Sequence, residues 1–77
     1  MIRKGTIVRW SWVNGSAEGK VEETYSFKIT KNIKGNEVTR NGEKDKNALF
    51  IIQDVGDYVL KSENEVARVD YIILINI

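Results

Sequence analysis

The 77-residue sequence contains no cysteine and no histidine. Without cysteine, the chain forms neither a disulfide nor a thiolate zinc site. Without histidine, it lacks the most common general base and the imidazole ligands that proteins use to bind metals. Only carboxylates remain for acid–base catalysis. The sequence therefore predicts a protein that is not an enzyme and that binds no metal or cofactor.

The carboxylates and glycines that remain do not have the spacing of a catalytic or ligand-binding motif. Glu22 and Glu23 are adjacent, so on a strand their side chains point to opposite faces and form no catalytic pair. Asp54 and Asp57 lack the spacing of a calcium loop, and a turn explains their presence. The six glycines show no phosphate-binding spacing. These observations strengthen the exclusion of catalysis.

Long hydrophobic runs are also missing. The longest apolar stretch, residues 71–75, is far shorter than the roughly 20 residues that a membrane helix needs. No apolar run follows the basic residues near the start of the chain, as a secretory signal would require. We therefore expect a cytoplasmic protein with no membrane partner.

The residues that are abundant favour strands. Valine, isoleucine and threonine together number 22, against three leucines and three alanines, and β-branched side chains pack well on a pleated sheet. Hydrophobic residues make up 42% and charged residues 30% of the chain, which is typical of a folded protein. We expect one all-β domain over residues 1–77.

Turn signals at short intervals divide this domain into short strands. Turns are predicted at Asn14-Gly15, Gly35-Asn36, Asn41-Gly42 and residues 54–57. The apolar patterns between them predict five to six antiparallel strands, at residues 6–13, 18–29, 37–40, 48–53, 58–61 and 69–77. The capping-box spacing of Ser62 and Glu65 predicts one short helical or 3₁₀ turn. Short strands at this spacing indicate a small sandwich or barrel.

The longest predicted strand, residues 18–29, alternates strictly between two faces. Its apolar face carries Gly19, Val21, Glu23, Tyr25, Phe27 and Ile29. Twelve residues are long for one strand, so we expect a bend or bulge at Gly19 or Glu23.

Seven aromatic residues suggest a binding surface, because a core this small does not need all of them. We assign Trp10, Phe27 and Phe50 to the core. The candidates for a ligand surface are Trp12, Tyr25 and Tyr58, with Asp54 or Asp57 supplying negative charge. Aromatic rings beside a carboxylate can bind a cationic group through cation–π attraction. The leading hypothesis is therefore a module that binds a protein or peptide through one rim.

Nucleic-acid binding is the alternative function. Residues 28–46 carry six basic and three acidic side chains, a net charge of +3, whereas residues 47–77 carry two basic and five acidic ones, a net charge of −3. Basic groups near aromatic rings suit backbone neutralisation and base stacking. The net charge of the whole chain, +1, argues against a dedicated nucleic-acid binder. The residues of this alternative are Lys28, Lys31, Lys34 and Arg40.

An ordered set of short motifs resembles one known family, the hypervirulence-associated proteins with a Tudor-type domain. The similarity runs from about Gly5 to Val69, and the order and spacing of the motifs make it fairly specific. The motifs are Gly5-x-x-Val8-x-Trp10-x-Trp12, Gly15-x-Ala17-x-Gly19-Lys20-Val21, Ile33-Lys34-Gly35-Asn36-Glu37-Val38-x-Arg40-Asn41, Asp45-x-x-Ala48 and Gly56-Asp57-x-Val59-Leu60-Lys61-Ser62-x-x-Glu65-Val66.

The resemblance implies a small SH3-like or Tudor-like β-barrel of uncharacterised role, with no enzymatic activity to carry over. Two features depart from the family pattern. Asn47 stands where the family often has proline, and the apolar residues 71–77 extend past the shared region. A third hypothesis assigns this C-terminal segment, residues 70–77, to a homodimer formed by strand pairing.

Overall fold

Seven short strands and one 3₁₀ turn form the regular structure of residues 1–69, the part of the chain that the computed structural model describes. This confirms the predicted all-β class and the short turn after Ser62. The strand predicted over residues 69–77, beyond Val69, and the homodimer through residues 70–77 lie outside the described residues. The elements are β1 (Ile7–Trp12), β2 (Gly15–Tyr25), β3 (Ile29–Ile33), β4 (Asn36–Arg40), β5 (Ala48–Gln53), β6 (Tyr58–Ser62), the 3₁₀ turn (Glu63–Glu65) and β7 (Ala67–Arg68).

The strands form two antiparallel sheets. Five strands pair in the order β6-β5-β2-β1-β7, and β3 pairs with β4 in a separate hairpin. The predicted SH3-like or Tudor-like fold fits this arrangement, although within residues 1–69 the five-stranded sheet is not closed into a barrel and the hairpin lies beside it. Within residues 1–69, β7 pairs with β1 at Val8–Arg68 and Arg9–Ala67, and no backbone ladder joins the hairpin to the five-stranded sheet. No helix within residues 1–69 is long and apolar enough to cross a membrane.

A bulge in β2 divides that strand into two halves. Val21 pairs with Ile51, whereas Tyr25 pairs with Ala48, and the register shifts between Val21 and Glu23. Residues directly opposite each other share a face, and Ile51 and Ala48 are an odd number of positions apart. Val21 and Tyr25 therefore lie on opposite faces of the sheet. The bulge occurs at Glu23, one of the two predicted positions, but the prediction of a single alternating face through residues 19–29 was wrong.

The main core lies on the face that carries Val21. Ladder pairing places Val8, Gly19 and Val21 on this face, followed by Ile51 on the neighbouring strand. At Gly19, an added Cβ would lie 2.6 Å from Ile51 Cγ2, so the missing side chain leaves room for Ile51. The core cluster consists of Ile2, Val8, Trp10, Val21, Leu49 and Ile51.

The β3–β4 hairpin (residues 29–40) approaches the opposite face of the sheet. Lys34 and Gly35 both have positive φ, 53° and 83°, which suits a two-residue hairpin turn with the natural twist of the strands. Ion pairs join the hairpin to one residue before β6 and to one in the 3₁₀ turn after it. Lys34 Nζ lies 2.9 Å from Asp57 Oδ2, and Arg40 Nε lies 2.8 Å from Glu65 Oε1.

The 3₁₀ turn is tied to its neighbours through two glutamates. Glu65 Oε1 accepts a hydrogen bond from the Ser62 amide at 2.7 Å, which is the glutamate half of the predicted capping box. Glu63 Oε2 accepts a hydrogen bond from the backbone N–H of Asn47 at 3.0 Å. Proline, which the family often has at this position, has no amide hydrogen to donate. Asn47 therefore adds a contact that proline would remove.

Folding favours the ionised form of Glu65. Burial raises the pKa of Glu65, but the hydrogen bonds from Arg40 and Ser62 and the charges of Arg40 and Lys61 lower it below the ordinary value of 4.5. A carboxyl with a lowered pKa stabilises the folded state above its ordinary pKa and loses this effect as the pH falls through the folded value. The stabilisation from this pair is thus present at neutral pH.

Removing the Arg40 charge should destabilise the protein, and the loss of stability should be larger at neutral pH than in acid. We expect Arg40→Gln to lower the free energy of unfolding by about 0.5–1 kcal/mol at neutral pH, the scale of an exposed pair. The difference should shrink below pH 4.5. Urea unfolding at neutral pH and below pH 4.5 measures this difference in stability. Arg3→Gln, at an exposed residue, is the control. A difference that is constant with pH would contradict the assignment.

Candidate functional site

A groove of about 550 Å³ opens at one end of the main sheet. We call it the Trp12 groove; it lies between the β1–β2 end and the turn after β5. Trp12 is 54% exposed and forms one wall. The groove is lined by Trp12, Ser16, Ala17, Glu18, Gln53, Asp54 and Val55.

The groove exists because β2 is longer than its neighbour β5. The β2–β5 ladder ends at the pair Gly19–Gln53, while β2 continues back to Gly15 along β1. Trp12 pairs with Gly15, which has no side chain, so nothing on β2 separates the indole ring from the space beyond β5. The unequal strand lengths thus leave the Trp12 ring exposed next to the part of β2 that extends past β5.

The two carboxylates that line the groove, Glu18 and Asp54, differ in their ion pairs. Glu18 Oε2 lies 2.7 Å from Arg9 Nη2, so its charge is compensated by a neighbour on β1. Asp54 is exposed and makes no ion pair with any residue in the described part of the chain. As far as the described residues go, the groove therefore holds one carboxylate without an ion pair together with an exposed indole, an arrangement suited to a cationic side chain.

A second aromatic group lies where the hairpin meets the main sheet. We call Tyr25, Lys31, Phe50 and Tyr58 the Lys31 cluster. Lys31 Nζ lies 4.8 Å from the centre of the Phe50 ring and 5.2 Å from that of Tyr25. The rings of Phe50 and Tyr58 stack with centroids 4.6 Å apart. The cation facing these rings is therefore one that the chain itself supplies.

The predicted ligand residues are divided between these two places. The Trp12 groove contains Trp12 and Asp54. Tyr25 and Tyr58 belong to the Lys31 cluster, and Asp57 is paired with Lys34. The bulge in β2 puts Tyr25 on the face opposite the core, whereas Trp12 shares the core face through its pairing with Gly15. A single rim formed by all five residues is therefore not observed.

The core assignment of the aromatic residues holds for Trp10 and fails for Phe27. Trp10 is buried, Phe50 is partly buried, and Phe27 is 57% exposed. Phe27 follows the end of β2 and contacts Tyr25 edge-on, with ring centroids 5.7 Å apart. The alternation that assigned Phe27 to the core stops at the bulge and the strand end.

Most cations of the nucleic-acid alternative have partners inside the protein. Lys34 pairs with Asp57, Arg40 pairs with Glu65, and Lys31 lies over the rings of Tyr25 and Phe50. Lys28 is exposed and makes no ion pair within residues 1–69. Three of the four predicted side chains thus help to hold the hairpin against the sheet.

The position of Lys31 predicts a contribution to stability that Lys28 lacks. Lys31→Gln should lower the free energy of unfolding by about 0.5–1 kcal/mol, because it removes the cation from the two rings. Lys28→Gln removes the same charge from an exposed position and should change it by less than about 0.5 kcal/mol. Urea unfolding of both variants compares them directly. Equal effects would show that the cation–π contacts do not stabilise the fold.

Several residues of the groove were not predicted from the sequence. Ser16, Ala17, Gln53 and Val55 line it because of where the β2–β5 ladder ends, and strand register across more than 30 residues cannot be read from local patterns. Phe50 was assigned to the core, and the structure places it, partly buried, in the Lys31 cluster.

The fold and the groove define a small all-β domain whose groove holds an exposed aromatic wall and a carboxylate without an ion pair inside residues 1–69. A family model described as the Tudor domain of hypervirulence-associated proteins matches residues 5–66. The chain belongs to this family, which confirms the resemblance read from its motifs. No curated protein and no solved structure matches the chain significantly.

Proposed function

We propose that the protein is a non-enzymatic binding module and that the Trp12 groove receives a basic segment of a protein partner. The observation that carries this proposal is the exposure of Trp12, at 54%, in the same groove as Asp54. A large exposed aromatic ring is a frequent anchor of protein interfaces, and Asp54 complements a lysine or arginine side chain. The lack of cysteine supports a cytoplasmic location for this activity.

A peptide library displayed on phage tests the proposal without a known partner. Selection on the folded protein should enrich peptides that contain a basic residue. Trp12→Ala should weaken binding of the selected peptides about tenfold or more, as expected for an interface anchor. Asp54→Asn should weaken those with a basic residue, whereas Asp45→Asn, at an exposed position outside the groove, should not.

Two outcomes of this selection contradict the proposal. Failure to enrich any peptide on the folded protein is one, and equal binding of the enriched peptides to the Trp12→Ala variant is the other. Because Trp12 is exposed, its replacement should leave the unfolding transition close to that of the unaltered protein. A urea unfolding curve of the variant therefore separates lost binding from lost folding.

A further inference from the structure

The backbone of β2 offers an unused edge beside the Trp12 groove. On one side, β2 pairs with β1 without interruption from Lys20 to Gly15. On the other side, the ladder with β5 ends at the Gly19–Gln53 pair. Within residues 1–69, no strand occupies the place next to Ser16 on that side. Among the described residues, a short stretch of the β2 edge is thus unpaired at this end of the sheet.

The direction of the Ser16 backbone follows from the hydrogen bonds of Val21. The Val21 amide donates to the Thr6 carbonyl at 2.9 Å, and the Val21 carbonyl accepts from the Gly5 amide at 2.8 Å, both on the β1 side. Successive residues of an antiparallel strand point their backbone groups to alternate edges. Ser16 is five positions away in an unbroken register. Its N–H and C=O therefore point toward the groove.

We propose that the groove binds its partner by strand addition: an extended peptide pairs with Ser16 in the place that β5 leaves open. The proposal rests on the proposed function and specifies how the partner is held. Backbone hydrogen bonds supply affinity in this mode, and alternate side chains supply specificity. The open stretch of residues 15–17 accommodates about three to four peptide residues, roughly 10–13 Å of extended chain.

The groove also specifies the side chains of this peptide. Trp12 shares a face with Gly15 and Ala17, so a side chain placed on that face packs against the indole and should be apolar. Asp54 lies at the same groove with no ion pair inside residues 1–69. A basic side chain next to the turn after β5 would compensate this charge. The occupant is therefore an extended segment with alternating apolar residues and a lysine or arginine.

Backbone N-methylation of a peptide probe tests strand addition while leaving the protein unchanged. The probe is a blocked pentapeptide, Thr-Val-Arg-Val-Thr, compared with versions methylated on one central amide at a time. In an added strand, only alternate amides face β2. We expect the Ser16 amide resonance to shift in the nitrogen–proton spectrum on titration. Methylation at alternate positions should weaken binding about tenfold, and at the positions between them hardly at all.

The other outcomes separate this inference from the proposed function. Peptide binding that shifts the Trp12 indole resonance, with N-methylation weakening binding equally at every position, would overturn strand addition and leave the groove as a binding site. An unshifted Ser16 amide at millimolar peptide would also overturn it. Shifts at Ser16 that depend on protein concentration without peptide would assign the edge to a second copy instead. The phage selection judges the proposed function independently.

Discussion

Replacing Gly42 with alanine is expected to lower the free energy of unfolding by about 3 kcal/mol. An added Cβ would meet the carbonyl oxygen of Tyr25 and would lie 2.6 Å from that of Phe27. Both atoms belong to the backbone and cannot rotate away, so the segment must move. Movement would weaken the hydrogen bond that the Gly42 amide donates to the Phe27 carbonyl at 3.0 Å. A domain of this size has roughly 4–12 kcal/mol in total.

Gly35→Ala is the matched control for this substitution. Gly35 has a positive φ of 83°, but an added Cβ would meet nothing within 4 Å. Its replacement therefore costs only the backbone conformational penalty, about 1 kcal/mol. Urea unfolding of both variants gives the comparison. If Gly42→Ala proves no worse than Gly35→Ala, close packing around residue 42 is not what requires glycine there.

The second large effect is expected in the main core. Val21→Ala should lower the free energy of unfolding by about 2–3 kcal/mol, because two buried methyl groups are lost and a cavity remains. Val21 is fully buried, with 0% of its surface exposed, and stands directly opposite Ile51 on β5. The surrounding side chains belong to paired strands, so we expect little collapse into the space.

Val13→Ala makes the same chemical change at the surface. Val13 is 98% exposed, and its replacement should change the free energy of unfolding by less than about 0.5 kcal/mol. Thermal or urea unfolding of the two variants therefore measures burial alone. Equal stabilities would mean that the face of β2 carrying Val21 is not the core face.

The local parts of the fold could be predicted from the sequence. β5 was placed at its observed residues, because an apolar run bounded by turn residues defines a strand. The turn after Ser62 followed from its capping-box spacing. Asn41-Gly42 was interpreted as a turn signal, whereas the structure uses Gly42 for close approach to the end of β2. Glycine serves both purposes, and the sequence does not distinguish them.

The arrangement of the site depended on contacts that the sequence does not encode locally. Trp12 was a candidate for the ligand surface, and its side chain is 54% exposed. Its separation from Tyr25 follows from the bulge, which adds one residue to β2 and turns all later side chains to the other face. The pairing of Asp57 with Lys34, 23 positions apart, required the hairpin to reach the sheet. Long-range register therefore decided which carboxylate remained available.

The bulge in β2 also has a consequence for how the sequence can drift over generations. Val21, before the bulge, packs in the main core, whereas Tyr25, after the bulge, contacts Lys31 of the hairpin. Loss of the codon for Glu22 would straighten the strand without moving a later side chain to the other face, because Tyr25 would still stand opposite Ala48. Point changes in either half can therefore accumulate separately, and a deletion of Glu22 itself would keep the strand pairings on both sides of it.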